Sequence, residues 1–215
     1  MTYLLSEVHE KLKQLSDKMG SDYFALPVFL SFFETATFDF VGEKLKIVEK
    51  TQEITDDIRT LIGLPTDIPI IQDPNLTGRY IAALPSNYHR VVAYDVLYAN
   101  SERCRRADLI RQAEYRTAKQ NPNKQPTKDY PLILQFESTF QIDAGTTVPE
   151  TFRLTFCKKP TFATTGQPSN RIVNLPDDAI EKILKITVTN LFNKTADERA
   201  PQSYQLQETY RKVFK

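Results

Sequence analysis

The side chains that could form a nucleophile–base pair are few and lie far apart in the sequence. There are two histidines, His9 and His89, and two cysteines, Cys104 and Cys157. A Cys–His or Ser–His pair activates a nucleophile only when both groups come within hydrogen-bond reach, and no local signature joins these residues. We therefore interpret both histidines as ordinary surface or core residues.

Sequence motifs for metal or nucleotide chemistry are likewise missing. The chain has no paired Cys or His spacing typical of zinc sites, and no GxGxxG, P-loop or GxSxG motif. The acidic pairs at 56–57 and 177–178 lie where helices are expected to begin, so helix capping explains them. The sequence predicts a protein that is not an enzyme and has no cofactor or metal. A nuclease or hydrolase with a site assembled in space is the rival, and a metal-dependent activity abolished by alanine at either acidic pair would reveal it.

A basic stretch at residues 100–128 is the main charge feature. Its cations are Arg103, Arg105, Arg106, Arg111, Arg116, Lys119, Lys124 and Lys128. They suit contact with phosphate or with an acidic partner surface, and a solvated face paired with local acids is the alternative. Tyr115 alone is too little for a base-stacking platform. The net charge of +1 argues against nucleic-acid binding by bulk charge. The predicted partner-contact residues are Arg103, Arg105, Arg106, Arg111, Tyr204, Tyr210 and Phe214.

Alternating apolar and polar residues from Leu132 to Ile142 predict a half-buried strand. The same phase returns at Phe152, Leu154 and Phe156, after turn residues that include Gly145. We expect an antiparallel ribbon with one apolar face. Because a two-stranded ribbon is not stable alone, further strands or helices must cover that face.

Apolar residues spaced three to four apart predict the helices. One helix covers residues 2–19, and a second runs from Pro27 as far as Ile62 with a possible break near Thr55. Another opens at Leu175-Pro-Asp-Asp. Residues 63–89 are rich in proline and are interpreted as a connector with at most short extended pieces.

Together these patterns predict an α+β fold. Long N-terminal helices pack beside a small antiparallel β-sheet or ribbon, followed by a C-terminal helix and arm. The expected parts of this one domain are a helical part (1–62), a proline-rich connector (63–89), a ribbon core with the basic insertion and closing helix (90–192), and the arm (193–215). No apolar run approaches the roughly 18 residues that span a bilayer, and the N-terminus is charged too early for a signal peptide. The two separated cysteines indicate a reducing compartment, and a single disulfide bridge between them is the alternative.

The order of several segments resembles the head-to-tail connector proteins of short-tailed bacteriophages, most closely the ring proteins of crAss-like phages. The segments are FFETATFDFVGEKLKIVEKTQEITDDIRTLI, LPSNYHRVVAYDVLY, YPLILQFESTFQI, a strand ending in TFCKKP, and a helix opening LPDDAIEKIL. They lie within residues 28–192, and their combination and order carry more weight than any one of them.

The resemblance implies a non-enzymatic virion subunit that assembles in the cytoplasm of a host bacterium. Such proteins form a ring, commonly of about twelve copies, closed by head-to-tail contacts. The ring lies under the portal, extends the DNA channel and docks the next tail component. The implied partners are other copies of the chain, the portal protein, adjacent tail or ring proteins and DNA in the channel, with no membrane. A generic binding or scaffold module acting through the ribbon edge and the C-terminal arm is the alternative, and a strict monomer would favour it.

Overall fold

A computed structural model of the chain describes residues 3–19, 26–51, 53–74 and 78–195. It divides the chain into a helical unit, which joins residues up to Leu61 with those from Pro160 onward, and a sheet unit, Ile62–Lys159. In chain order the elements are α1 (Leu5–Met19), α2 (Leu26–Thr51), β1 (Thr66–Gln72), β2 (Arg79–Ala83), β3 (Tyr88–Tyr98), β4 (Glu102–Arg103), β5 (Asp108–Ile110), α3 (Gln112–Gln120), β6 (Leu132–Gln135), β7 (Thr139–Asp143), β8 (Thr151–Lys158) and α4 (Asp177–Thr195).

The helical unit is held together by the contact between α2 and α4. On α4, one apolar stripe is buried throughout, and its members are Ile180, Ile183, Leu184, Thr187, Val188 and Leu191. On α2, Phe29 and Phe33 stack with ring centroids 5.9 Å apart, and Phe162 meets Phe33 edge-on at 6.3 Å. None of the described helices has an apolar stretch long enough to cross a membrane.

The predicted helix boundaries in this unit agree well with the structure. Proline lies in the first turn of α2, as expected, and α2 ends at Thr51. The predicted break near Thr55 is confirmed, because a 3-10 helix, Asp56–Leu61, follows it. The helix predicted to open at Leu175-Pro-Asp-Asp begins at Asp177, where Asp177 and Asp178 occupy the first turn.

The sheet unit contains eight strands in the order β4-β3-β8-β1-β2-β7-β6-β5, and they form a half-barrel. Neighbouring strands are antiparallel except for β5 and β6, which are parallel. β1 changes partner along its length: residues 66–69 pair with β8, and residues 70–72 pair with β2. The inner face carries the main core, in which the Phe140 ring lies 5.0 Å from Phe152 and 6.0 Å from Tyr88.

The predicted small sheet or ribbon beside long N-terminal helices is wrong, because the eight-stranded sheet dominates this α+β fold. The proline-rich stretch 63–89, interpreted as a connector, contributes β1 and β2 to the middle of the sheet. Pro69 is the last β1 residue paired with β8, and the pairing with β2 begins at Ile70. A strand that changes partners there accommodates a residue without an N–H donor.

The predicted ribbon between residues 132–142 and 152–156 does not form. Instead, the first segment folds back on itself at Glu137 and Ser138, so that β6 and β7 are a hairpin closed by the Phe136 N–H, which donates to the Thr139 carbonyl at 2.8 Å. β7 then pairs with β2, and β8 pairs with β1 and β3. The turn shifts the side-chain phase, and this change creates a second apolar face.

Candidate functional site

Helix α3 covers part of the outer face of the sheet. Pairing across the hairpin places Ile133 with Ile142 on the inner face, so Leu132 and Leu134 point outward. There they pack against Tyr115 and Ala118 of α3 in a small separate core. The two α3 residues are three apart and therefore share one side of the helix. The phase shift at the hairpin thus explains why a polar insertion carries a helix that packs on the sheet.

The Tyr115 hydroxyl anchors α3 to the sheet through a buried carboxylate. It donates a hydrogen bond to Asp143 Oδ2 at 2.6 Å, and the same oxygen lies 3.2 Å from Lys119 Nζ. Asp143 Oδ1 accepts the Gly145 N–H at 3.2 Å. Burial raises the pKa of Tyr115, and its hydrogen bond to Asp143 raises it further. Hydrogen bonds with Tyr115 and Asp143 outweigh the effect of burial and raise the pKa of Lys119, so the phenol stays neutral and the ammonium stays charged.

Two cations lie over the Tyr115 ring. The guanidinium of Arg79, on β2, is 5.0 Å from the ring centroid, and Lys119 Nζ is 5.2 Å from it. Arg79 faces outward because it pairs in register with Asp143. These residues border a concavity of about 450 Å³, which we call the α3 pocket. Its lining is Arg79, Gln112, Tyr115, Arg116, Lys119, Gln120, Leu134, Phe136 and Gln141.

The four predicted contact arginines lie on different elements. Arg103 is on β4, Arg105 and Arg106 follow it in the turn toward β5, and Arg111 directly precedes α3. Three of them lie near carboxylates: Arg103 is 3.8 Å from Asp95, Arg105 is 3.8 Å from Asp129, and Arg106 is 2.9 Å from Asp108. All four side chains are exposed. Their role in partner contact stays a prediction.

The other three predicted contact residues, Tyr204, Tyr210 and Phe214, lie outside the described residues. Sequence reasoning does not single out Arg79, because this residue lies in the stretch interpreted as a connector. Arg116 and Lys119 belong to the basic stretch but are not among the predicted contact residues. The sequence draws attention to Tyr115 only as a stacking surface, whereas its hydroxyl and its contacts with cations organise the α3 pocket. The run Thr77-Gly-Arg-Tyr-Ile-Ala is the sequence signal that points to Arg79. A turn glycine followed by aromatic and β-branched residues indicates the start of a strand, and Arg79 would lie on that strand.

A second concavity, of about 470 Å³, lies on the outer face of β1, β3 and β8. Its charges are matched internally. Arg153 donates to both oxygens of Asp67, at 2.6 and 2.8 Å, and Arg103 is paired with Asp95. The hydrogen bond from Arg153 lowers the pKa of Asp67, so this pair remains ionised in weakly acidic solution. An incoming charged ligand would have to break these pairs, and we therefore give this concavity less weight.

The remaining reactive side chains are poorly suited to nucleophilic chemistry. Cys157 is fully buried, and burial raises its pKa to about 11, while burial also raises the pKa of the half-buried Cys104. Both thiols are therefore protonated near neutral pH. Burial lowers the pKa of His89, and the charges of Arg90 and Lys159 lower it further. Within the described ranges, no cluster of His, Cys, Asp and Glu could hold a metal ion.

No family model matches the chain, and no curated protein matches it significantly.

Proposed function

We propose that this protein is a structural subunit of a head-to-tail connector ring in a short-tailed bacteriophage. The ring would lie beneath the portal, extend the DNA channel and dock the next tail component. The observation that carries the proposal is the ordered set of segments resembling connector ring proteins across residues 28–192. These segments coincide with elements of the fold: RVVAYDVLY lies in β3, TFCK ends β8, and LPDD opens α4.

Ring closure requires two different surfaces on each subunit that fit one another with a fixed rotation. In the sheet unit, Arg103, Arg105, Arg106 and Arg111 are exposed, and three of them lie beside carboxylates; we call these four residues the arginine surface. We propose that this surface contacts an acidic face of a neighbouring copy or of the portal protein. The C-terminal aromatic residues Tyr204, Tyr210 and Phe214 belong to the same proposal as a docking arm.

The direct test is the mass of the full-length protein in solution, measured by native mass spectrometry and light scattering, alone and mixed with the portal protein of the same phage. We expect a discrete ring-sized species, alone or on addition of portal. A monomer in both preparations would contradict the ring and favour the binding or scaffold module.

A charge-reversal variant tests the contact surface. Replacing Arg103, Arg105, Arg106 and Arg111 with Glu is expected to prevent ring formation or portal binding. The matched control reverses four exposed cations of the helical unit, Lys46, Lys50, Arg59 and Lys185. Both variants change net charge equally, so loss of assembly only in the first locates the contact. If the two variants assemble equally well or equally poorly, the arginine surface is not the contact. Whether the protein forms a ring is then decided by the mass of the wild-type species alone.

A further inference from the structure

The α3 pocket combines an excess of positive charge with an apolar floor. Its charged lining consists of Arg79, Arg116 and Lys119, with no carboxylate among the lining residues. Leu134 and Phe136 contribute apolar surface, and three glutamine side chains contribute amide groups. A site of this composition suits an anionic group attached to an organic body, since few polar groups fix orientation while apolar walls provide contact area.

The charge balance points to a doubly charged anion. Asp143 pairs with Lys119 and neutralises it. Within the described part of the chain, no carboxylate forms an ion pair with Arg79 or Arg116. Two guanidinium groups therefore stay available, and they match the charge of about −1.5 to −2 that a phosphate monoester carries at neutral pH. Guanidinium groups also fit phosphate oxygens in bidentate geometry.

The cations at the pocket are held before any ligand arrives. Arg79 lies over the Tyr115 ring, and Lys119 is fixed both by that ring and by Asp143. Tyr115 is itself fixed, because its side chain is buried and its hydroxyl binds Asp143. Less side-chain freedom is then lost on binding, which favours affinity.

The size of the pocket distinguishes a monoester from inorganic phosphate. A volume of about 450 Å³ lies within the range of small-molecule sites, roughly 300–1,000 Å³, and leaves room for a sugar or a base beside the phosphate. Leu134 and Phe136 offer the surface on which that part would rest. We propose that the α3 pocket binds a phosphate monoester that carries an organic group, such as a nucleoside monophosphate or the phosphorylated end of a nucleic-acid strand. The proposal does not depend on ring formation.

Calorimetric titration of the full-length protein tests it with five probes: adenosine 5′-monophosphate, adenosine, inorganic phosphate, a short single-stranded DNA, and the same DNA with a 5′-phosphate. We expect saturable binding of the monophosphate, weaker binding of phosphate, and no binding of adenosine. If the DNA strand binds only when it carries the 5′-phosphate, and binds more tightly than the monophosphate, the ligand is the phosphorylated end of a nucleic-acid strand. Preference for the free monophosphate identifies a nucleotide. If no phosphate-bearing probe binds at concentrations of about 10 mM, the proposal is wrong.

Variants separate this pocket from general surface charge. Arg116→Gln and Arg79→Gln are each expected to weaken monophosphate binding by about tenfold or more, as expected for a lost charge-assisted hydrogen bond. Arg59→Gln is the matched control, because Arg59 is exposed, is paired with Asp56 and lies outside both the pocket and the predicted contact arginines. Circular dichroism confirms that each variant is folded. Binding that is unchanged by both pocket substitutions, or weakened equally by the control, would overturn the assignment.

Discussion

Replacing Asp57 with asparagine should destabilise the helical unit by about 1–2 kcal/mol at neutral pH. Asp57 lies in the 3-10 helix after α2, and its side chain is only 14% exposed. Its Oδ2 lies 2.6 Å from Lys44 Nζ on α2, and its Oδ1 lies 2.8 Å from Lys182 Nζ on α4. One carboxylate therefore joins α2 and the 3-10 helix that follows it to Lys182 on α4, 125 residues further along the chain.

The two ion pairs contribute unequally because their lysines differ in exposure. The Lys44 side chain is 24% exposed, so solvent screening reduces the contribution of its charge-assisted hydrogen bond to about 1 kcal/mol. The Lys182 side chain is 50% exposed, so its pair falls in the range of surface salt bridges, about 0.2–1 kcal/mol. Asparagine keeps the shape of Asp57, and both lysines reach water, so no charge is left buried without a partner.

Urea unfolding followed by helical circular dichroism measures the effect. With a slope of about 2 kcal/mol per molar, the midpoint should fall by about 0.5–1 M. Asp56→Asn is the neighbouring control, since Asp56 is 87% exposed and pairs with Arg59, which is 69% exposed. We expect the control to shift stability by less than about 0.5 kcal/mol.

The pH dependence gives a sharper test of the same pairs. Burial of Asp57 acts to raise its pKa, but hydrogen bonds with Lys182 and Lys44 outweigh burial and lower the pKa. A lowered pKa in the folded state means that the stabilisation is complete above the unfolded value of about 3.9 and is lost as the pH falls through the folded value. The stability gap between wild type and Asp57→Asn should therefore be full at about pH 7 and shrink below about pH 4. A gap that is independent of pH, or equal losses in the Asp56 and Asp57 variants, would refute this reasoning.

Three further predictions concern packing and backbone conformation, and each is measured as a change in the free energy of unfolding. Phe140→Ala should cost about 3–5 kcal/mol, because the ring is fully buried. Ile71→Ala, at a 63% exposed position, should cost less than about 0.5 kcal/mol. Similar losses of stability in the two variants would contradict the assignment of the inner face. Tyr98→Phe should stabilise by about 1 kcal/mol, because the buried hydroxyl has no hydrogen-bond partner in the described structure, and a clear loss would mean that the hydroxyl is satisfied. Gly42→Ala should stabilise α2 by about 0.5–1 kcal/mol, since no atom lies within 4 Å of the added Cβ. Gly145→Ala should cost more than about 1 kcal/mol, since φ is +66° and the Cβ would lie 2.6 Å from a carbonyl oxygen. If both substitutions change the free energy of unfolding in the same direction, this account is wrong.

The helical unit could be predicted from the sequence because helix signals are local. The apolar stripe of α4, the proline in the first turn of α2 and the acidic start at Asp177 all lie within the segments they specify. Sheet pairing is different, since β8 finds partners in β1 and β3, many residues earlier. Period-two alternation identified β7 and β8 as strands, but it contains no information on which strand pairs with which.

The α3 pocket depended on a feature that alternation conceals. The even-numbered positions from Leu132 to Ile142 look like one apolar face only if the strand is continuous. Because a two-residue turn at Glu137 and Ser138 reverses the chain, Leu134 and Phe140 face opposite sides of the sheet. Arg79 reaches the pocket through strand register with Asp143, which composition cannot specify. The charge of the basic stretch was visible in the sequence, but the partners of each arginine were not.

The sheet unit begins and ends at one place. Ile62 forms a β-bridge with Cys157, and the Gly63 N–H donates to the Phe156 carbonyl at 3.5 Å. The entry and exit of this segment are therefore about one strand spacing apart, roughly 5 Å. A segment with adjacent ends can be inserted into another chain at a surface turn with a small entropic cost of closure. Residues 62–159 thus have the geometry of an insertable domain. Such a segment can be placed within a loop of another protein, and its adjacent ends also suit circular permutation.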